Sequence, residues 1–310
     1  MKSKLKSILI TGGLGFIGSN LINKIDKKKY NIIVLDKNND QSKLSNNQFT
    51  FINSDIDQIE KYYDTIKDVF CVVHLASTSI PAKTNTDPVL DIQNEVIKNL
   101  IFFNFLSNKG IKNIIYPSSG GTIYGEIYNN SNSVDQNPKP ISYYGAHKLL
   151  QEHYLRILER NRNLNPMILR ISNPYGYNQS NYKIQGLIGT VIKTAINNNE
   201  IEIWGDGSIV RDYIYIDDLS DLIIQCISQN KSGIFNVGSG EGYSINQILK
   251  KIEKIHGTQL NVKYIKEIEF DVKSSVLNIR ETINYFNWQP KISIDNGLEK
   301  LYSKIKHKEQ

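Results

Sequence analysis

A doubly wound α/β fold on a parallel sheet is what this 310-residue sequence predicts, and three observations carry it. Short, apolar, β-rich runs alternate with helical patterns over the first half of the chain, and such alternation implies parallel pairing. A glycine-rich turn, Gly12-Gly13-Leu14-Gly15-Phe16-Ile17-Gly18, lies between the first run and the first helical pattern. The second run ends on a carboxylate, Asp36.

Ser7 to Thr11 is the first strand, and a helix is expected from Ser19. Glycines at 12, 15 and 18 let the backbone turn tightly, approach a pyrophosphate without a Cβ in the way and pack helix on strand. The helix N-terminus then faces the anion. Asn31 to Leu35 is the second strand. A carboxylate at its end, Asp36, accepts hydrogen bonds from a ribose diol and repels a 2′-phosphate, which favours NAD over NADP. Lys37 beside it weakens that preference slightly. Phe49 to Asp55 continues the alternation, with Asp55 and Ile56 at a strand end suited to an adenine ring. Asp68 to Ala76 is apolar enough to be covered on both faces, and His74 inside it reads as packing rather than catalysis.

Two long helical patterns follow, Asp87 to Ser107 and Ser142 to Glu159. Between them Lys112 to Ser119 is a fifth strand, running into Gly120-Gly121-Thr122-Ile123-Tyr124-Gly125. The carboxyl ends of parallel strands line a ligand crevice, which places the hydroxyls of Ser118, Ser119 and Thr122 there. Pro166 to Ser172 is a sixth strand. Beyond it short strands (Ile201 to Trp204, Gly233 to Val237) alternate with shorter helices (Ile216 to Ser228, Ser244 to His256). The expected division is a nucleotide-binding domain over 1–176 and a smaller lobe over 177–310, with some crossing of the chain between them. The Asn-rich segments 38–47 and 128–137 read as surface loops and Lys304 to Gln310 as a frayed tail.

Composition bounds the function. A hydrophobic fraction of 40% and a charged fraction of 22% are ordinary globular values. The net charge of +6 is spread over scattered lysines with no aromatic-basic stretch, which argues against nucleic acid and suits a small anionic ligand. Two cysteines, Cys71 and Cys226, each in an apolar run, favour neither a disulfide framework nor a zinc site. No metal is expected. No apolar run reaches membrane-spanning length, and the basic start leads into glycines rather than a cleavage site. The chain reads as cytoplasmic.

Tyr144 and Lys148 bring chemistry to this frame. One helical turn apart, they share a face, and a cation held beside a phenol favours the phenolate. The same spacing recurs at Tyr63/Lys67 and Tyr302/Lys306. Only the copy at Tyr144 follows a proline-containing loop, opens a long helix and lies downstream of the glycine turn.

These stretches together resemble the extended short-chain dehydrogenase/reductases, in the nucleotide-sugar epimerase/dehydratase branch. The resemblance rests on TGGLGFIGSNL, VLD, HLA, SSGGTIYG, YYGAHKLLQE, LRISNPYG, WGDGSIVRDYIYIDD and FNVGSG, in that order over nearly the whole chain. It implies a Rossmann-type lobe of about the first 170 residues, a smaller lobe for a UDP-sugar, tightly held NAD, and a homodimer through helices 87–107 and 142–159. By position it implies that Gly12, Gly15, Phe16, Ile17 and Gly18 meet the pyrophosphate, and that Asp36 takes the adenosine ribose and Asp55 and Ile56 the adenine side. Leu75, Ala76, Asn94 and Ser118 would line the cofactor. Tyr144 would be the base and Lys148 would bind the nicotinamide ribose. Asn173 and Arg211 would hold the diphosphate, and Ser275, the fourth residue after Asp271, would stand beside the sugar C2 substituent. Members often carry Ser or Thr four residues before the Tyr of the Tyr-Gly pair. Here that position is Gly120, which leaves Ser119 or Thr122 to assist.

The activity this implies is NAD-dependent 4-epimerisation of UDP-hexoses, UDP-Glc/UDP-Gal or UDP-GlcNAc/UDP-GalNAc. A 4-ketoreductase or a 4,6-dehydratase on the same fold is the alternative. The dehydratase needs an acid near C5 and C6, and Gly121, Thr122 and Ile123 offer none. A catalytically silent NAD-sensing protein is the third reading, against which Tyr144 and Lys148 stand.

Overall fold

The computed structural model describes residues 5–45, 48–126, 132–162, 164–179, 186–229, 231–266 and 272–309. Its strands are β1 (Lys6–Thr11), β2 (Tyr30–Asp36), β3 (Thr50–Asn53), β4 (Val69–His74), β5 (Asn113–Ser119), β6 (Asn165–Ile171), β7 (Asn173–Tyr175), β8 (Ile201–Trp204), β9 (Val210–Tyr215), β10 (Gly233–Val237), β11 (Gly242–Ser244), β12 (Val262–Ile265) and β13 (Ser274–Ser275). Seven of them form one sheet in the order β10-β6-β5-β4-β1-β2-β3. Around β1 the pairs β1–β2, β1–β4, β2–β3 and β4–β5 all run parallel. The chain goes one way from β1 to β2 and β3 and the other way to β4, β5 and β6. That reversal is the topological switch at which open α/β sheets bind ligands.

Apolar runs make these strands for a simple reason. Covered on both faces, they need no polar alternation, and Ile8, Leu9, Ile10, Ile32, Val34, Leu35, Val72 and Val73 are all buried. Each such side chain contributes about 1.5–3 kcal/mol relative to leaving it exposed. The register fixes Ile8 opposite Ile32 and Ile10 opposite Val34.

By its contacts the chain divides into two compact units. One comprises Met1–Ser118, Tyr143–Leu169 and Ser220–Phe235, the other Ser119–Ser142, Arg170–Leu219 and Asn236–Gln310. In the second, β9 pairs with β7, β11 and β13, and β8 pairs with β12.

Three elements differ from expectation. The first helix spans Phe16–Lys24 and starts inside the glycine turn, not at Ser19. Glycine there is not a breaker but a packing requirement, since a Cβ on Gly18 would stand 2.6 Å from the Gly12 carbonyl oxygen. The stretch read as one helix from Asp87 begins at Pro88, with the Asp87 side chain accepting from Leu90 N at 3.0 Å. Its middle turns, Ile92–Ile97, are π-helical before α-helix resumes over Lys98–Asn108. The expected tail is instead the end of a helix, Ile294–Glu309. Leu298, Leu301, Tyr302 and Ile305 are buried, so an apolar stripe at helical spacing runs into that segment and holds it. Lys306, His307 and Lys308 also complement the helix C-terminus.

Candidate active site

The glycine turn is held from both sides. Gly12 N donates to Leu35 O at 2.8 Å and Leu75 N to Thr11 O at 3.0 Å, which ties the turn to the ends of β2 and β4. Gly12 has φ of +64°, and a Cβ on it would lie 2.6 Å from Ala76 N. Only glycine meets both conditions. Gly15 is the N-cap of the Phe16–Lys24 helix and no side chain caps it. Its first amides therefore point to a site where an anion is the natural partner, which is the environment a dinucleotide pyrophosphate needs.

Asp36, at the end of β2, accepts from Leu14 N through Oδ2 and from Asn38 N through Oδ1, both at 2.9 Å. The carboxylate is thus fixed against the turn, with lone pairs left for a further donor. Asp55 accepts from Ile56 N at 2.7 Å and pairs with Lys98 Nζ at 2.6 Å, while Lys98 also reaches Asp57 at 3.1 Å. Burial opposes the charge on Asp55, but the Lys98 ammonium and the Ile56 amide outweigh it and hold the carboxyl below its usual range. Leu75 and Ala76 follow β4 directly and are half-buried.

Tyr144 and Lys148 stand in the first turns of the helix Tyr143–Arg162. Lys148 Nζ lies 5.9 Å from the Tyr144 ring centroid and 5.3 Å from that of Tyr116 on β5. Lys148 is buried, and burial by itself would drive its proton off. The negative charges that Tyr116 and Tyr144 carry when ionised, and the carboxylate of Glu95, outweigh this, so its affinity for the proton is raised. Tyr116 is raised too, by burial first, against the pull of Lys148.

The partner not foreseen in the sequence is Glu95. It comes from the π-helical segment, is 2% exposed, and places Oε1 3.8 Å from Lys148 Nζ. Oε2 accepts from Thr78 N at 2.7 Å and from Thr78 Oγ1 at 3.2 Å, and Oε1 accepts from Asn99 Nδ2 at 3.2 Å. Asn99 continues the network to Gln151 Oε1 at 2.6 Å and to His74 Nε2 at 3.0 Å. The other His74 nitrogen meets Thr11 Oγ1 at 2.8 Å. Its ring stacks on Phe102 at 4.8 Å, and burial depresses His74 to about 4. His74 is therefore a neutral packing residue, as its place in the apolar strand suggests. Asn94, the neighbour of Glu95, is exposed. The π turn changes which side chains face inward along this segment, and Glu95, not Asn94, is the one buried against Lys148.

A second buried pair braces the same helix. His147 Nδ1 lies 2.7 Å from Asp91 Oδ2, and Asp91 Oδ1 accepts from Ser79 Oγ at 2.5 Å and Thr84 Oγ1 at 3.0 Å. Ser118, near the end of β5, is buried, and its hydroxyl has no partner among the described residues.

In the other unit Thr122 Oγ1 donates to Ser119 Oγ at 2.9 Å, which leaves the Ser119 hydroxyl hydrogen available. Gly120 is buried, and a Cβ there would meet Leu277 Cδ1 at 2.6 Å and Arg170 O at 2.8 Å. Asn173 Nδ2 donates to Asp212 O at 3.0 Å. Asp212, wholly buried, accepts from Ser239 N, Ser239 Oγ, Gly240 N and Leu277 N. Burial comes first and raises the Asp212 pKa; the four donors oppose that and fix the strand that carries Arg211. Ser275 on β13 is paired in register with Arg211, and its hydroxyl lies 3.5 Å from the Gly120 carbonyl oxygen. Asp271, from which its position was counted, lies outside the described residues.

The model of the family described as NAD dependent epimerase/dehydratase matches residues 8–238. The chain belongs to that family. This membership fits the glycine turn and the uncapped helix start, and NAD is the cofactor. Members similar to the chain include the dTDP-4-dehydro-6-deoxyglucose reductase of Escherichia coli, 30% identical over 99% of this chain and 100% of that one. Another is a putative UDP-glucose 4-epimerase of Methanocaldococcus jannaschii, 31% identical over 97% and 98%. Among solved structures, the UDP-glucose 4-epimerase of Thermotoga maritima with UDP-glucose superposes with a TM-score of 0.92 at 30% identity, over 98% of this chain and 100% of that one. Among the described residues no group of His, Cys, Asp and Glu could hold a metal ion, and no helix is long and apolar enough to cross a membrane.

Proposed function

We propose that this chain is an NAD-dependent 4-epimerase of UDP-hexoses and that Tyr144 is its base. The observation that carries the proposal is the Tyr144–Lys148 pair on one helix face, with the lysine buried and charged, in a chain alike along its whole length to an epimerase that binds UDP-glucose. NAD, when bound, supplies the hydride acceptor and returns the hydride. The phenolate of Tyr144 takes the proton of the sugar C4 hydroxyl as C4 is oxidised, and gives it back after the 4-keto sugar has turned over. Lys148 keeps that phenolate favoured and holds the nicotinamide ribose. Ser119, backed by Thr122, donates the assisting hydrogen bond that Gly120 cannot. Gly12, Gly15, Phe16, Ile17 and Gly18 receive the pyrophosphate, Asp36 the ribose, and Asp55 and Ile56 the adenine side. Leu75, Ala76, Asn94 and Ser118 line the cofactor, and Asn173 and Arg211 hold the sugar-nucleotide diphosphate. In this reading 1–176 supplies the cofactor side and 177–310 the sugar side. Ser275, being small, leaves room for an acetamide at C2, so UDP-GlcNAc and UDP-GalNAc are accepted.

The enzyme works in the cytoplasm as a homodimer. Support for the dimer is the apolar face of its two long helices, where Ile97, Ile101, Leu150 and Ile157 are each 45–54% exposed. Large exposed apolar side chains gathered on one face mark an association surface.

The test is incubation of the purified protein with UDP-glucose, UDP-galactose, UDP-GlcNAc and UDP-GalNAc, followed by NMR of the sugar stereocentres. Inversion at C4 without added cofactor supports the epimerase. Reduction of a 4-keto sugar nucleotide that consumes NADPH, with no inversion, replaces it by the ketoreductase suggested by the Escherichia coli relative.

A further inference from the structure

A buried carboxylate beside the catalytic lysine changes what the Tyr–Lys pair can do. Alone, Lys148 would put one positive charge under Tyr144. With Glu95 at 3.8 Å the buried set carries no net charge while Tyr144 is a phenol, and a net negative charge once it ionises. The pull of Lys148 towards an ionised Tyr144 is then partly offset by the carboxylate that contacts it.

The other groups around the pair do not cancel this. Tyr116 on β5 is held as the phenol, His74 on β4 is neutral, and the Asp91 carboxylate, beside the same helix, is tied to His147, Ser79 and Thr84. Glu95 is the carboxylate in contact with Lys148. Its Oε2 is held by both Thr78 donors and its Oε1 by Asn99, so it cannot swing out to solvent without leaving three donors unmatched.

We propose that Glu95 is a positioning residue for the reaction, the counter-ion that fixes Lys148 in place and holds Tyr144 protonated in the free protein. The inference rests on the assignment of Tyr144 as the base for its consequence in turnover, but not for its test. In the free protein the Tyr144–Lys148 couple would thus be held in reserve. An added positive charge, such as an oxidised nicotinamide brings, would be needed to release the proton.

The experiment is a pH titration of Tyr144 in the full-length chain labelled with 13C at the tyrosine ζ carbon, with the resonance assigned by its loss in Tyr144→Phe. Free and NAD-saturated protein are compared. Glu95→Gln keeps the shape and one acceptor for Thr78 while removing the charge. It should lower the midpoint of Tyr144 ionisation in the free protein by about one pH unit, the scale of one neighbouring charge. The difference made by NAD should shrink in the variant. A side chain that served structure alone would leave the midpoint unmoved, and that result overturns the proposal. Should Glu95→Gln not fold, as judged by circular dichroism, Glu95→Asp withdraws the carboxylate by one methylene. It should shift the midpoint downward by less, and an unchanged or raised midpoint there overturns the proposal equally. No sugar nucleotide is present, so failure of the epimerase assignment and failure of this inference are seen separately.

Discussion

Gly120 stands where the family resemblance implied a hydroxyl, and the simplest repair, Gly120→Ser, should damage the protein. The Cβ of any side chain at 120 would lie 2.6 Å from Leu277 Cδ1 and 2.8 Å from the Arg170 carbonyl oxygen. Neither neighbour can yield easily. Leu277 is 1% exposed and packed with Ile123, Tyr124 and Ile279. The backbone of Gly120 is itself pinned to β6, its N–H donating to Ile171 O at 2.8 Å. Forcing an atom into such a place costs about 1–3 kcal/mol, and the unfolded-state gain of replacing glycine returns only ~0.4–1 kcal/mol. Urea denaturation followed by circular dichroism should therefore show both Gly120→Ala and Gly120→Ser unfolding at lower denaturant than the parent. Because the Cβ makes the clash, Ala should account for most of the Ser effect. Full stability in either variant would refute the packing argument and reopen position 120 to a hydroxyl.

Three further outcomes are expected. Tyr144→Phe should abolish epimerisation while NAD still binds, measured by C4 inversion and by isothermal titration; near-normal turnover would remove Tyr144 from the mechanism. Asp36→Ala should weaken NAD by about 1–3 kcal/mol, the scale of unmatched ribose hydroxyls, and an unchanged titration curve would place the ribose elsewhere. Burial depresses His74 to about 4 from an ordinary 6.5, so between those values the unfolded chain binds the extra proton and the folded one does not. Stability should fall as pH drops from 6.5 towards 4, by about 3 kcal/mol. His74→Gln should flatten that slope in urea midpoints taken across the window, and an identical slope would exclude His74 as its source.

Much of the fold was legible because the parallel strands are written as nearly unbroken apolar runs and the turn after β1 as glycines. His74 was legible for the same reason, being polar but surrounded by residues that can only be core. The long helix after Asp87 was legible as a helix, but the polar groups that it buries were not. Glu95 and Asn99 are buried together with Val96, Phe102, Phe103 and Leu106, while Ile97 and Ile101 are exposed, so an apolar stripe alone does not mark every buried position. Burial of those polar groups is offset by hydrogen bonds to Thr78, Gln151 and His74, which lie far away in sequence. Local spacing carries no trace of them. The tail misled for a different reason, since its lysines mask an apolar stripe that ends only at Ile305.

The interleaved path of the chain has a consequence for its synthesis. The edge strand β10 of the main sheet is made only at Gly233–Val237, and each unit is assembled from three separate segments that alternate along the sequence. Domains that emerge as contiguous stretches can fold one after another on the ribosome; neither unit here has that option. A nascent chain halted at residue 176 would expose β6 on the edge where β10 belongs, an open strand edge of the kind that recruits other chains. Closure of that edge must await translation of about a further 60 residues, several seconds at ordinary elongation rates, and chaperone capture should concentrate in that interval.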